Sequence, residues 1–83
     1  MRYMTENRLA QLAVELFDSY IGMQRRGVRC LNTYGNEYVR IIKKICPEKH
    51  LYEVTACNIS EHLTKHKNPE ETIIAVLKNI KED

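Results

Sequence analysis

One amphipathic segment near the N-terminus constrains the fold of this chain more than any other feature. At about 100° per residue, the apolar side chains between residues 9 and 23 cover roughly 200° of a helical surface. They are Leu9, Ala10, Leu12, Ala13, Val14, Leu16, Phe17, Tyr20, Ile21 and Met23. A helix on the surface of a small domain needs a stripe a little over about 100° wide. The segment therefore predicts either the central helix of a bundle or one half of an interface.

The size of the chain indicates a single small globular domain over residues 1–83. A chain this short buries only about 60% of its unfolded surface, so we expect modest stability. With 43% hydrophobic and 29% charged residues, the composition is typical of a globular protein and argues against disorder. No apolar run approaches the roughly 18 residues of a membrane span, so no membrane partner is expected.

The cysteines indicate the compartment. Cys30, Cys46 and Cys57 are odd in number and widely spaced, which does not fit a disulfide framework. Free thiols are typical of a reducing compartment. The N-terminal residues also lack the apolar core and cleavage site of a secretory signal. We therefore expect a cytoplasmic protein.

Caps and apolar spacing predict three further helices. Asn36 is expected to cap helix 2, and Pro47 to end it and begin helix 3. Asn68 and Pro69 mark the start of helix 4, where Glu70 and its neighbour suit the positive end of the helix dipole. The predicted inward faces recur at helical spacing. They are Tyr38, Ile41, Ile42, Ile45 and Cys46 on helix 2, Tyr52, Ala56, Ile59 and Leu63 on helix 3, and Ile73, Ile74, Val76, Leu77 and Ile80 on helix 4.

The predicted fold is therefore all-α, a small four-helix bundle, with one α+β alternative. In the alternative, Val28–Thr33 and Glu37–Ile42 form a hairpin about the turn of Gly35 and Asn36, and Leu51–Cys57 adds a third strand in an α-β-β-β-α order. Residues 43–46, two lysines followed by Ile and Cys, break a period of two but keep a period of 3.6. That pattern favours the helix.

A metal site can be drawn from cysteines and histidines, but the spacing argues against it. Two of the histidines are four residues apart and would share a helix face. Structural zinc sites, however, usually carry closely spaced cysteine pairs, which are missing here. We predict no metal and no cofactor. The residues considered are Cys46, His50, Cys57, His62 and His66.

Enzymatic activity is not expected either. No activating motif surrounds a cysteine, and the sequence contains neither a glycine-rich phosphate loop nor a nucleophile elbow. A chain of 83 residues also leaves little room for a deep pocket. We predict no catalytic residues.

The positive charge is concentrated in the middle of the chain. Between residues 25 and 44 the only acid is Glu37, and the cations there are the predicted partner-binding residues. Such a segment can contact an acidic protein surface or, as the second choice, the phosphates of DNA or RNA. Helix 3 offers a mixed face with two carboxylates, which is a poor base-reading surface. The predicted partner-binding residues are Arg25, Arg26, Arg29, Arg40, Lys43 and Lys44.

Excess apolar surface on the first helix adds a second candidate contact. If the core uses the face around Leu9, Leu16 and Tyr20, then Val14 and Ile21 lie near the edge of the arc and are predicted interface residues. We therefore predict a small non-enzymatic regulator, inhibitor or adaptor that binds another protein and forms a possible homodimer. The alternative is a small DNA- or RNA-binding regulator that uses the basic stripe of helix 2.

Overall fold

The computed structural model describes the backbone of residues 5–82 and the side chains of residues 5–49 and 52–80. The backbone forms four α-helices: α1, Glu6–Arg25; α2, Leu31–Ile45; α3, Lys49–His66; and α4, Pro69–Glu82. α1 packs against α2 and α4, and α3 packs against the same two helices. The prediction of an all-α four-helix bundle is confirmed. The α-β-β-β-α alternative is wrong, because the described part of the chain contains no strand.

Local signals set the ends of α1 and α4. The Thr5 side chain accepts a hydrogen bond from the Arg8 amide at 3.2 Å. After α1, Gly27 adopts a φ of 77°, and the Val28 amide returns to the Met23 carbonyl at 3.0 Å. This is the hydrogen-bonding pattern of a Schellman motif, which needs a residue with positive φ.

At α4 the predicted cap is confirmed. Asn68 Oδ1 accepts hydrogen bonds from the amides of Glu70 and Glu71 at 3.0 and 3.3 Å. Pro69 occupies the first helical position, where its missing N–H costs nothing.

The start of α2 differs from the prediction. The helix begins at Leu31 after Cys30, so Asn36 lies in its second turn rather than at its cap. The residues before Asn36 favour turns when taken in isolation, but Tyr34, one turn before Tyr38, is fully buried. Burial of this aromatic ring outweighs the weak local preference for a turn.

The core lies between the four helices and matches most of the predicted inward faces. On α1 the buried side chains are those of Leu12, Leu16 and Met23, while Leu9 and Tyr20 are half-buried. The prediction that Ile74 belongs to the core is wrong: 53% of it is exposed. The remaining buried hydrophobic residues are Tyr34, Tyr38, Ile41, Ile42, Ile45, Cys46, Ile59, Leu63, Ile73, Val76 and Ile80.

Tyrosines connect the helices at the end where the α1–α2 and α3–α4 connections meet. The Tyr34 ring lies 6.1 Å from that of Tyr20 and 6.3 Å from that of Tyr38. The Tyr38 hydroxyl donates to the Pro69 carbonyl at 3.1 Å, and the Tyr34 hydroxyl donates to the Val28 carbonyl at 2.7 Å. These bonds fix the two connections relative to α2.

Within the described residues, no helix combines the length and the apolar character needed to cross a membrane.

Candidate interaction surfaces

Large apolar side chains are exposed on α1 and α4. Val14 is 60% exposed, Ile21 is 45% exposed and Ile74 is 53% exposed. On α1, Val14 and Ile21 are seven residues apart and therefore lie along one strip of the helix. The predicted interface residues are thus in contact with solvent, and Ile74 joins them as an apolar residue that the sequence pattern had assigned to the core.

The packing of α1 against α4 places Ile74 on the same side of the molecule as the strip of Val14 and Ile21. Tyr20 lies beside Glu70: burial raises the pKa of Tyr20, and the Glu70 carboxylate raises it further. Ile74 follows Glu70 by one turn on the same side of α4. Because Tyr20 is late in α1 and Glu70 is early in α4, the two helices run antiparallel. Ile74 therefore comes level with the half-buried Phe17.

We define the α1–α4 face as these exposed residues and the half-buried ones that accompany them. It consists of Val14, Phe17, Ile21, Ile74 and Leu77. Single exposed apolar residues are ordinary on a protein surface, but a group of them on one face is typical of a contact site.

Arg40, Lys43 and Lys44 form the predicted basic stripe of α2, and all three are exposed. Arg40 is held by a two-pronged ion pair, because its Nε and Nη2 each lie 3.0 Å from a Glu37 carboxylate oxygen. The Arg40 guanidinium holds the pKa of Glu37 below its usual value. The two residues are three apart on the helix, a spacing that brings their side chains together.

The other two cations of the stripe have partners that the sequence did not reveal. Lys44 Nζ lies 3.4 Å from Glu15 Oε1 on α1, and Lys43 Nζ lies 5.0 Å from the centre of the Tyr52 ring on α3. Glu37 is therefore not the only acid that offsets the charge of the stripe, because Glu15 pairs with Lys44. Two cations of the stripe are ion-paired and the third lies over an aromatic ring, so the contacts of the stripe involve three helices.

The remaining predicted partner-binding residues lie at the other end of α2. Arg25, Arg26 and Arg29 are exposed around the α1–α2 connection. Arg26 is close enough to Glu37 to lower the pKa of that carboxyl, after the larger effect of Arg40. Since the 15 residues of α2 span roughly 22 Å, these arginines and Lys44 form two separate groups.

The histidines of the metal hypothesis lie on α3. The rings of His62 and His66 stack at 5.6 Å with an interplanar angle of 10°. His62 Nε2 lies 3.1 Å from Asn79 Nδ2, and His66 Nδ1 lies 3.7 Å from Glu71 Oε2. These contacts connect α3 to α4.

The cysteines considered as metal ligands do not form a metal site with the histidines among the described residues. Cys46 is buried in the core and Cys57 is exposed on α3, while the side chain of His50 lies outside the described residues. Among the described side chains, no group of three or more histidines, cysteines or acids is arranged to hold a metal ion.

Two thiols have opposite environments. Cys30, at the start of α2, is exposed, and the amide N–H groups of Thr33 and Asn32 lower the pKa of its thiol. Burial raises the pKa of the Cys46 thiol. The sequence pattern predicted the burial of Cys46. It did not predict that Cys30 lies at the start of α2, because Asn36 was expected to cap that helix.

Several cavities open on the described surface of the bundle, and two of them are lined by more than one helix or connection. A groove of about 250 Å³ between α2 and α3 is lined by Gly35, Asn36, Ser60 and neighbours without a titratable side chain. A second cavity, of about 350 Å³, lies where the α1–α2 and α3–α4 connections meet. Its lining includes Arg29 and Lys67.

Comparison with known proteins adds no assignment to these surfaces. No protein-family model, curated protein or solved structure matches this chain.

Proposed function

We propose that this chain is a small non-enzymatic regulator, inhibitor or adaptor that binds another protein through the surface of its helical bundle. The α1–α4 face is the observation that carries the proposal. Val14, Ile21 and Ile74 leave large apolar side chains in water on one side of the molecule. Covering such surface with a partner contributes about 25 cal/mol per Å² of apolar area.

The expected partner is a different protein whose contact surface combines apolar and acidic side chains. Arg25 follows Ile21 by four residues and is therefore its neighbour on α1. Arg26 and Arg29 extend the positive charge beyond the end of the helix. Complementary charge favours association with an acidic partner. A second copy of this chain carries the same arginines and so matches the face less well.

The decisive experiment compares capture by the wild-type chain with capture by two variants. Val14→Asp/Ile74→Asp places charges on the α1–α4 face, whereas Val54→Asp is a matched control because Val54 is 42% exposed on α3. Both variants should keep their thermal stability, since the altered side chains are exposed.

Extracts of the native host, treated with nuclease, are then passed over each immobilised chain. We expect a protein that the wild type and Val54→Asp retain and that Val14→Asp/Ile74→Asp loses. Titration calorimetry with the purified partner should show its affinity falling by about tenfold or more, which corresponds to a loss of about 1.4 kcal/mol. Equal retention by all three chains would contradict the proposal.

Sedimentation at high concentration tests the homodimer. If the wild type is a dimer and the Val14→Asp variant is a monomer, the partner on the α1–α4 face is a second copy of this chain and not a different protein. A wild-type monomer would leave the α1–α4 face to another protein.

DNA or RNA binding is the second candidate function. Among the described residues, Arg25, Arg29, Lys65 and Lys67 make no ion pair, and they lie around one end of the bundle. Phosphates would favour this end over the α2 stripe, where Arg40 and Lys44 are already paired with carboxylates. Binding that is lost after nuclease treatment would favour this candidate. So would a binding constant that falls with salt concentration with a slope near −0.9 for each phosphate contact on a log–log plot.

The cytoplasm remains the proposed location. The free thiols of Cys30, Cys46 and Cys57 support it, since a reducing compartment keeps cysteines unpaired.

A further inference from the structure

The cavity between the two connections is lined by cationic and apolar side chains. It is formed by the end of α1, the start of α2 and the α3–α4 connection, and its volume is about 350 Å³. That size lies at the lower end of the range for small-molecule pockets. The lining residues are Gln24, Gly27, Val28, Arg29, Leu31, Tyr34, Lys67 and Pro69.

The charges in this lining are all positive. Arg29 and Lys67 reach the cavity from different connections, and the described lining contains no carboxylate. Neither cation forms an ion pair with a described residue. By contrast, Arg40 and Lys44, which are also exposed, are paired with Glu37 and Glu15. The cavity therefore carries uncompensated positive charge from two separate segments of the chain.

The backbone of Lys67 is strained. Its φ of 54° is in the left-handed region, where glycine is the favoured residue at the end of a helix. A lysine in this conformation makes the folded state less stable than a glycine would, because its Cβ lies too close to the following carbonyl oxygen. Strained backbone occurs often at functional positions, and Lys67 is one of the residues that line the cavity.

Hydrogen bonds hold two of the side chains that line the cavity. The Tyr34 hydroxyl donates to the Val28 carbonyl at 2.7 Å and accepts a hydrogen bond from Gln24 Nε2 at 3.3 Å. Gln24, which also lines the cavity, is thereby held beside Tyr34. Val28, Leu31 and Pro69 supply apolar surface beside it.

We propose that this cavity binds the phosphate monoester of a small organic molecule. The phosphate lies between Arg29 and Lys67, since the guanidinium fork matches two phosphate oxygens and the ammonium supplies a second charge. Two cations suit the dianion of a monoester better than the single charge of a carboxylate. The organic part of the ligand rests on Val28, Leu31 and Pro69.

The test is a titration of the isotopically labelled protein followed by nuclear magnetic resonance. The probes are phenyl phosphate, inorganic phosphate and benzoate. We expect saturating shifts for the Gln24 side-chain amide and for the backbone amides of residues 27–31 and 67. Phenyl phosphate should bind more tightly than inorganic phosphate, because of the apolar wall, and more tightly than benzoate, because of its second charge.

Four variants separate a specific site from general attraction to positive charge. Arg29→Ala and Lys67→Gly should each weaken phenyl phosphate binding about tenfold, as expected for a hydrogen bond to a charged group. Arg25→Ala and Lys65→Ala remove neighbouring unpaired cations outside the lining, and they should leave affinity within about twofold, because exposed charges at a distance are screened.

Lys67→Gly is the sharpest variant, because relief of the left-handed strain should preserve or raise the melting temperature while binding is lost. A folded Lys67→Gly protein that binds phenyl phosphate like the wild type would overturn the proposal. An equal loss of affinity in Arg25→Ala, or the absence of any saturating shift, would do so as well.

Discussion

At the scale of single residues, the contact between Arg8 and Glu48 connects the start of α1 to the start of α3. Arg8 Nη1 lies 2.7 Å from Glu48 Oε1, and both side chains are half-exposed. The hydrogen bond from Arg8 holds the pKa of Glu48 below its usual value. The charged form of Glu48 is therefore favoured in the folded state, and this makes the contact sensitive to pH.

Acid should remove the contribution of Glu48 to stability. Because the folded-state pKa is lowered, the contribution is fully present above the unfolded pKa of about 4.3 and is lost as the pH falls through the folded-state value. Glu48→Gln should therefore be less stable than the wild type at pH 6, and the difference should shrink below about pH 4. Urea unfolding between pH 3 and 7 measures this, with the exposed Glu53→Gln as control. A difference that does not change with pH would contradict the prediction.

The thiols should react in an order set by their environments. Cys30 is exposed and its pKa is lowered, whereas Cys46 is buried and its pKa is raised. Since the thiolate is the reactive form, iodoacetamide should alkylate Cys30 first. Cys46 should react only when the chain unfolds in denaturant. Mass spectrometry of the peptides over time gives both rates, and fast labelling of Cys46 in the native protein would disprove its burial.

At the scale of the helices, glycines show how tightly each pair packs. A Cβ on Gly35 of α2 would lie 3.0 Å from Leu63 Cδ1 on α3, whereas a Cβ on Gly22 of α1 would meet Arg26 Nη1 at an ordinary 3.6 Å. Gly35 thus permits the close approach of α2 and α3. Gly22 has no comparable neighbour.

Alanine substitutions at these glycines should differ in effect. Gly22→Ala should stabilise the protein by about 0.5–1 kcal/mol, because alanine loses less backbone entropy in a helix. Gly35→Ala should gain less than Gly22→Ala, since Leu63 must move to admit the new methyl group. Urea unfolding of the two variants checks the order. If Gly35→Ala were the more stabilised protein, α2 and α3 would not be closely packed at this point.

At the scale of the whole molecule, one face of the bundle remains uncovered because four helices enclose a single core. α1 contacts only α2 and α4 extensively, and its apolar arc is wider than those two contacts require. The surplus lies beside Ile74 of α4, on the α1–α4 face. The bundle architecture therefore requires Ile74 to lie at the surface, and its small contribution to stability can be measured.

Adjacent isoleucines provide that check. Ile73 is fully buried, whereas Ile74 is 53% exposed. Ile73→Ala should cost about 2–5 kcal/mol, because it removes methyl groups from a packed core. Ile74→Ala should change stability by no more than about 0.5 kcal/mol. Thermal and urea unfolding measure both, and similar costs for the two variants would contradict the placement of Ile74 outside the core.

The sequence by itself determined the helical class, most of the core and the ends of the helices that carry local signals. Gly27 stops α1 and Asn68 caps α4 because each acts on backbone groups within a few residues, without help from the rest of the fold. The apolar spacing of α2 likewise identified Ile41, Ile42 and Ile45 as buried residues.

Only the tertiary structure decided the start of α2, the exposure of Ile74 and the partners of the α2 cations. Each depends on contacts between residues distant in sequence. The Tyr34 ring is buried beside Tyr20 of α1, so the first turn of α2 is helical, and Glu15 on α1 pairs with Lys44. The end cavity is also tertiary, since Arg29 and Lys67 meet there from two different connections. Periodicity specifies which face of a helix is apolar, but the positions of the neighbouring helices determine how much of that face is covered.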